Sequence, residues 1–224
     1  MKSFCTLLAV MALLSTLALA QTPTPANPTL DPIQDTPGLP RVLIIGDSIS
    51  MGYTVPVREL LKGQASIHRI PTNGGPTKNG MTNIDKWLGT EKWDVIHFNW
   101  GIHDLKFMPD GKRQVEPEDY EKNLRALVAK MKAKGAKLIW ATTTPIPSGE
   151  LVPPRRFGEV AEYNAIAQRV MAENGVAIDD LNAAITPQLA ALQNPKDVHF
   201  KREGSDFLAR EVAKSLEAAL RLAK

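Results

Sequence analysis

The sequence predicts an α/β domain built on a central parallel sheet of about five strands, with helices on both faces. Two observations carry that expectation. From Arg41 onward, short β-branched runs alternate with helical stretches, each closed by glycine or a loop. The runs are also continuously apolar, as in Val42-Leu43-Ile44-Ile45, which is the pattern of strands covered on both faces. In such a sheet ligands bind beyond the carboxyl ends of the strands.

Taken in order, Arg41 to Ile45 reads as the first strand, stopped by Gly46. A helical segment follows over Val55 to Leu61, closed by Gly63, and Ser66 to Ile70 is a weaker second strand. Trp93 to Trp100 reads as the third strand, ending at Gly101. Glu116 to Lys134 is amphipathic, with Leu124, Leu127, Val128 and Met131 on one face, and Gly135 stops it. Lys137 to Thr142 is the fourth strand, ending in a Thr/Pro-rich loop, and Phe157 to Glu173 is helical, with Asn174-Gly175 as its stop. Val176 to Asp179 is the fifth strand and Glu203 to Leu222 the last helix.

Two segments precede this domain, which spans residues 41–224. Lys2 followed by the apolar run Phe4 to Leu17 and by Ala18-Leu19-Ala20 reads as a cleavable secretory signal peptide over residues 1–20. The expected destination is therefore periplasmic or extracellular, with no stable membrane insertion after cleavage. The single cysteine, Cys5, lies inside that signal, so the mature chain carries no thiol chemistry. Residues 21–40 hold six prolines and read as an extended linker. The remainder, about 180 residues, suffices for one core. The chain has 43% hydrophobic and 23% charged residues and a net charge of +3. Its basic residues are scattered rather than clustered, which excludes nucleic acid as a partner.

Chemistry is expected where the strands end. Gly46-Asp47-Ser48 follows the first strand, where a tight turn presents a serine as a nucleophile must be presented. Gly101-Ile102-His103-Asp104 follows the third, and Asp197-Val198-His199 stands before the last helix. A serine, a histidine and an aspartate brought together by the fold are the parts of a triad. On these blocks, from Arg41 to its end, the chain resembles the SGNH (GDSL-like) hydrolases. That resemblance implies a three-layer α/β/α flavodoxin-like fold and an esterase that needs no cofactor and no metal. It makes Ser48 the nucleophile and His199 the base, and it implies an oxyanion hole from the Ser48 N–H, a second-block glycine and a third-block asparagine. Gly75-Pro76-Thr77 best matches the family's second block.

Two positions depart from the family pattern. His103 stands where the asparagine of G-x-N-D falls, and its imidazole can still donate one N–H. Asn99, two residues before Gly101, is a second candidate donor. Lys196 occupies the acidic position of the usual D-x-x-H, which makes Asp197 the choice for the triad acid over an acid elsewhere or none. Asp47, Arg155 and Arg156 are candidate substrate contacts, the two arginines for an anionic group. His97, inside a strand, reads as a packed, hydrogen-bonded core residue. His68 reads as a surface residue and Asp104 as an anchor of its loop.

Rival chemistries fail on pattern. Met81 stands where a P-loop needs lysine, and there is neither a G-x-S-x-G elbow nor a zinc-ligand spacing. A metal-dependent phosphoesterase would need its D-x-H first and an aspartate at Ser50. The expected reaction is removal of acyl groups, acetyl above all, from small-molecule or polysaccharide esters. Tryptophans expected near the cleft favour a sugar over a lipid. A lipase or lysophospholipase, or a silent glycan-binding module on the same fold, is the alternative.

Overall fold

The computed structural model describes residues 28–221. Its centre is a parallel sheet of five strands, in the order β2-β1-β3-β4-β5. They are β1 (Arg41–Ile45), β2 (Ser66–Arg69), β3 (Val95–Phe98), β4 (Lys137–Ala141) and β5 (Ala177–Asp179). Ile45 pairs with Phe98 and Phe98 with Trp140, so the central strands end level along one edge. The strand order reverses at β1, which has β2 on one side and β3 on the other. That reversal opens a crevice at the carboxyl edge.

Side-chain alternation along the strands divides the core in two. Leu43, Ile45, Ile96, Phe98, Leu138 and Trp140 face α2 (Thr77–Leu88), α3 (Pro117–Lys132) and α4 (Val160–Asn174). Val42, Ile44, Val95, Ile139 and Ala141 face α1 (Ser48–Leu60), α5 (Leu181–Ile185) and α7 (Arg202–Arg221). A short 3₁₀ turn and α6 (Leu189–Leu192) lead into the last loop. Each fully buried aliphatic side chain contributes about 1.5–3 kcal/mol, so the two layers carry most of the stability in a chain without disulfides. Among the described residues, no helix is long and apolar enough to cross a membrane.

Three local expectations are corrected. The first helix begins at Ser48 rather than Val55, because the Asp47 carboxylate caps it by accepting the Ile49 N–H at 2.8 Å. Pro56 therefore lies inside the helix instead of opening it. Helix α2 was not anticipated, since Gly80 interrupts its apolar pattern. A side chain at that position would collide with the Trp100 ring, which lies 2.9 Å from where a Cβ would stand. The linker, finally, is docked where it is described. Arg58 Nη1 donates to Pro28 O at 2.7 Å, the Thr36 N–H to Ser66 Oγ at 3.1 Å, and Asp35 bonds both His68 and Arg41. The signal peptide and the start of the linker lie outside the described residues.

Candidate active site

At the end of β1 the chain turns through Gly46-Asp47 directly into α1, whose first residue is Ser48. The Ser48 N–H has no acceptor within its own helix, and the positive end of the helix dipole lies behind the side chain. Two neighbours fix this turn. The Gly74 N–H donates to Gly46 O at 2.9 Å, an approach so close that a Cβ on Gly74 would stand 2.8 Å from that oxygen. Arg69, at the carboxyl end of β2, reaches beneath and donates from Nη2 to Gly46 O, Asp47 O and Ser50 Oγ at 2.9–3.0 Å. Burial pushes the pKa of this guanidinium down to about 10. Sequence reasoning missed Arg69. Its signal was a charged residue ending a strand that neighbours β1, where only carbonyls and hydroxyls are available to hold it.

From the other end of the fold, His199 meets the serine. Ser48 Oγ lies 2.7 Å from His199 Nε2, and His199 Nδ1 lies 2.7 Å from Asp197 Oδ1. The same Oδ1 accepts the His199 backbone N–H at 3.2 Å. This local turn lets an aspartate two residues back, rather than three, reach the imidazole edge. Lys196 bends the chain there with a φ of +54°, a left-handed conformation that costs a lysine about 1 kcal/mol. Burial pushes the Asp197 carboxyl upward, but its bonds from His199 outweigh that and hold it below the usual range. With Nδ1–H directed at a carboxylate, Nε2 is left to accept from the serine hydroxyl.

His103 lines the same cleft, a space of about 270 Å³ shared with Ser48, Leu151, Arg155, Lys196 and His199. Burial lowers its pKa, and Arg155, Lys106 and His199 lower it further against the opposing charge of Asp47. The imidazole is thus neutral at neutral pH, with one N–H to offer. Its turn is anchored by Asp104, whose Oδ1 accepts the Thr77 N–H at 2.8 Å and the Thr77 hydroxyl at 2.5 Å. Burial pushes the Asp104 carboxyl up to about 7. Gly101, which opens the turn, has φ +151° and no room for a Cβ against Thr143.

Other sequence candidates are not brought to the cleft. Asn99 directs its amide at Ala141 O (2.8 Å) and Thr143 Oγ1 (3.3 Å), so both of its N–H groups are engaged on β4 and its loop. The Gly75 N–H donates to Asn73 Oδ1 at 2.9 Å. Asp47 is 3% exposed and serves as the cap of α1, out of a substrate's reach. Arg156 stacks over Phe107 at 4.3 Å, outside this cleft. Trp87, Trp93 and Trp100 are all buried in the core beneath α2 and α3, so no tryptophan floors a sugar subsite. His97 is a sealed core residue bonded to Asp179. Among the described residues no cluster of three or more His, Cys, Asp or Glu could hold a metal ion.

The model of the GDSL-like lipase/acylhydrolase family matches residues 44–207. The chain belongs to this family. Like other GDSL-like acylhydrolases it is a serine carboxylic ester hydrolase, acting on acyl esters. Its fold is similar to several solved structures. An acetyl xylan esterase, AlAXEase, superposes with a TM-score of 0.68 at 18% identity, over 79% of this chain and 99% of that one. A lipase/acylhydrolase from Enterococcus faecalis gives 0.70 at 21% identity, over 80% and 96%. The acetylxylan esterase Axe2 from Geobacillus stearothermophilus gives 0.63 at 22%, over 79% and 94%. Comparison with curated protein sequences gives no match. In this acylhydrolase the first-block serine and the late histidine expected from the sequence face each other across the crevice, with His103 lining the same cleft.

Proposed function

We propose that this acylhydrolase is an exported esterase that removes small acyl groups, acetyl above all, from carbohydrate through a Ser48-His199-Asp197 triad. The unbroken line of two 2.7 Å contacts from Asp197 through His199 to Ser48 carries the reading. Ser48 Oγ attacks the ester carbonyl while His199 Nε2 takes its proton, and Asp197 holds the imidazolium that forms. The Ser48 N–H and the His103 ring N–H stabilise the developing oxyanion. Gly75, whose N–H is bonded to Asn73, is left out of that hole. His199 then protonates the departing alcohol, and water, activated by the same base, releases the acyl group.

The substrate side rests on two observations. The cleft, at about 270 Å³, lies just below the ~300–1,000 Å³ of sites for drug-sized ligands, which suits a short acyl chain. Two of the similar structures are acetyl xylan esterases. Export rests on the signal sequence at residues 1–20. The test is turnover of p-nitrophenyl esters from acetate upward, with Ser48→Ala as control. Falling activity from C2 to C8, lost in the variant and indifferent to chelator, is expected. Preference for long chains would turn the assignment to a lipase, and activity equal in the variant would remove the triad.

A further inference from the structure

Arg155 and Arg69 are both more than nine-tenths buried, yet they differ in what holds them. Arg69 donates to five protein acceptors, namely Gly46 O, Asp47 O, Ser50 Oγ, Ile70 O and Thr72 O. Arg155 donates from Nε to Ile102 O at 2.8 Å and from Nη1 to Pro153 O at 3.4 Å. Its three other N–H groups have no acceptor among the described residues. The acids that act on it are also committed elsewhere: Asp47 caps α1 and Asp197 is bonded to His199. No Arg155 nitrogen is among the atoms sealed from solvent without a partner, so the free edge of this otherwise buried guanidinium opens to the cleft, where an oxyanion can complete it.

Its position says which ligand. Arg155 shares the Ser48 cleft with Lys106 and Lys196, three cations against the single engaged carboxylate of Asp197. We propose that the cleft takes an ester whose alcohol carries an oxyanion, a carboxylate or a phosphate, and that Arg155 binds it with its free guanidinium edge while Lys106 and Lys196 attract it at the rim. The planar fork matches either group bidentately. This rests on the reading of Ser48 as nucleophile.

The experiment compares three acetates that differ at one carbon: the 4-O-acetyl esters of methyl glucoside, methyl glucuronoside and methyl glucoside 6-phosphate. An advantage in kcat/KM of about tenfold or more for at least one anionic ester, expressed in KM, is expected at low salt, the scale of one charge-assisted hydrogen bond. Which anion gains more identifies the source. Arg155→Gln should bring that ratio near unity and Arg155→Lys should keep part of it. Lys106→Met and Lys196→Met should each lower it about two- to threefold, an effect that salt erases. A wild-type ratio of one or less overturns the proposal. So does a ratio unchanged in Arg155→Gln, or an equal loss of kcat on all three esters, which would make Arg155 a support of the loop or of the oxyanion. If p-nitrophenyl acetate is turned over while the anionic esters gain nothing, only the anion proposal fails. If p-nitrophenyl acetate is not turned over at all, the esterase reading fails and takes this proposal with it.

Discussion

Of the three histidine–aspartate pairs among the described residues, two have nearly equal geometry and opposite surroundings. His199 and Asp197 lie 2.7 Å apart with side chains 46% and 43% exposed, and His97 and Asp179 lie 3.0 Å apart at 0% and 6%. The free nitrogen of His199 meets the Ser48 hydroxyl. That of His97 meets nothing: Nδ1 is buried without a partner, and its ring faces the edge of Tyr53, whose hydroxyl pKa burial raises far above neutral. His97 stands on β3 and Asp179 on β5, so the inner pair spans the strand between them. In the proposed function the first pair is the reaction centre, while the second is a cross-brace. The difference lies in access and in a hydroxyl, since the two bonds are alike.

The sharpest way to break this contrast is to remove members of the outer pair. Ser48→Ala and His199→Ala should each lower kcat on p-nitrophenyl acetate by about 10⁴–10⁶-fold, with the double variant no worse than either single, because the residues act as a unit. Asp197→Ala should cost less, about 10²–10⁴-fold. Near-wild-type turnover in any of these, with circular dichroism unchanged, would make the outer pair as inert as the inner. Next in size is His103→Ala, expected to lower kcat about 10²–10³-fold with KM little changed and to be partly rescued by His103→Asn. Asn99→Ala, by contrast, should act through the melting temperature, since its amide braces β4 and its loop.

The inner pair calls for the reverse result. His97→Ala should leave turnover per folded molecule within a few-fold of wild type, but cost about 2–4 kcal/mol in urea denaturation. It opens a cavity and leaves Asp179 buried without its partner. A drop in kcat like that of His199→Ala would show the two pairs to be coupled.

The smallest effect concerns Asp104, a carboxylate shifted opposite to Asp197. Folded, it keeps its proton up to about pH 7, while the unfolded chain releases that proton near 3.8, as an ordinary aspartate does. Between those values the native state binds more protons, so this group's contribution to stability falls as pH rises, by up to about 1.4 kcal/mol per pH unit. Urea midpoints at pH 4.5 and 6.5 should show this slope in wild type and lose it in Asp104→Asn. An unchanged slope would place the titration elsewhere.

Period and punctuation made the sheet legible in the sequence, because strands covered on both faces carry an unbroken apolar signal. The two helices whose starts differ from the sequence expectation, α1 and α2, are held there by distant partners, which for α1 act alongside the local Asp47 cap. Arg69 and Gly74 hold the turn into α1, and Asp104 caps α2 from another loop. At the site, Ser48, His103, Asp197 and His199 stood out as chemistry-bearing residues at strand ends. What a sequence does not display is where the remaining donors point. Asn99 and Gly75 are of the right type in the right place, yet their N–H groups are given to Ala141, Thr143 and Asn73. The tryptophans mislead for a similar reason, being large enough to serve either a core or a sugar and used here for the core.

Asp197 and His199 sit in one turn, whereas Ser48 is 151 positions away from His199. The proposed acid and base therefore find each other locally, and only the proposed nucleophile waits on the packing of α7 against α1. Hydrolysis then acts as a gauge of that single junction. Any treatment that loosens α7 while the sheet persists should silence the enzyme before bulk spectroscopic signals move, and residual activity during slow denaturation would time the parting of the first helix from the last.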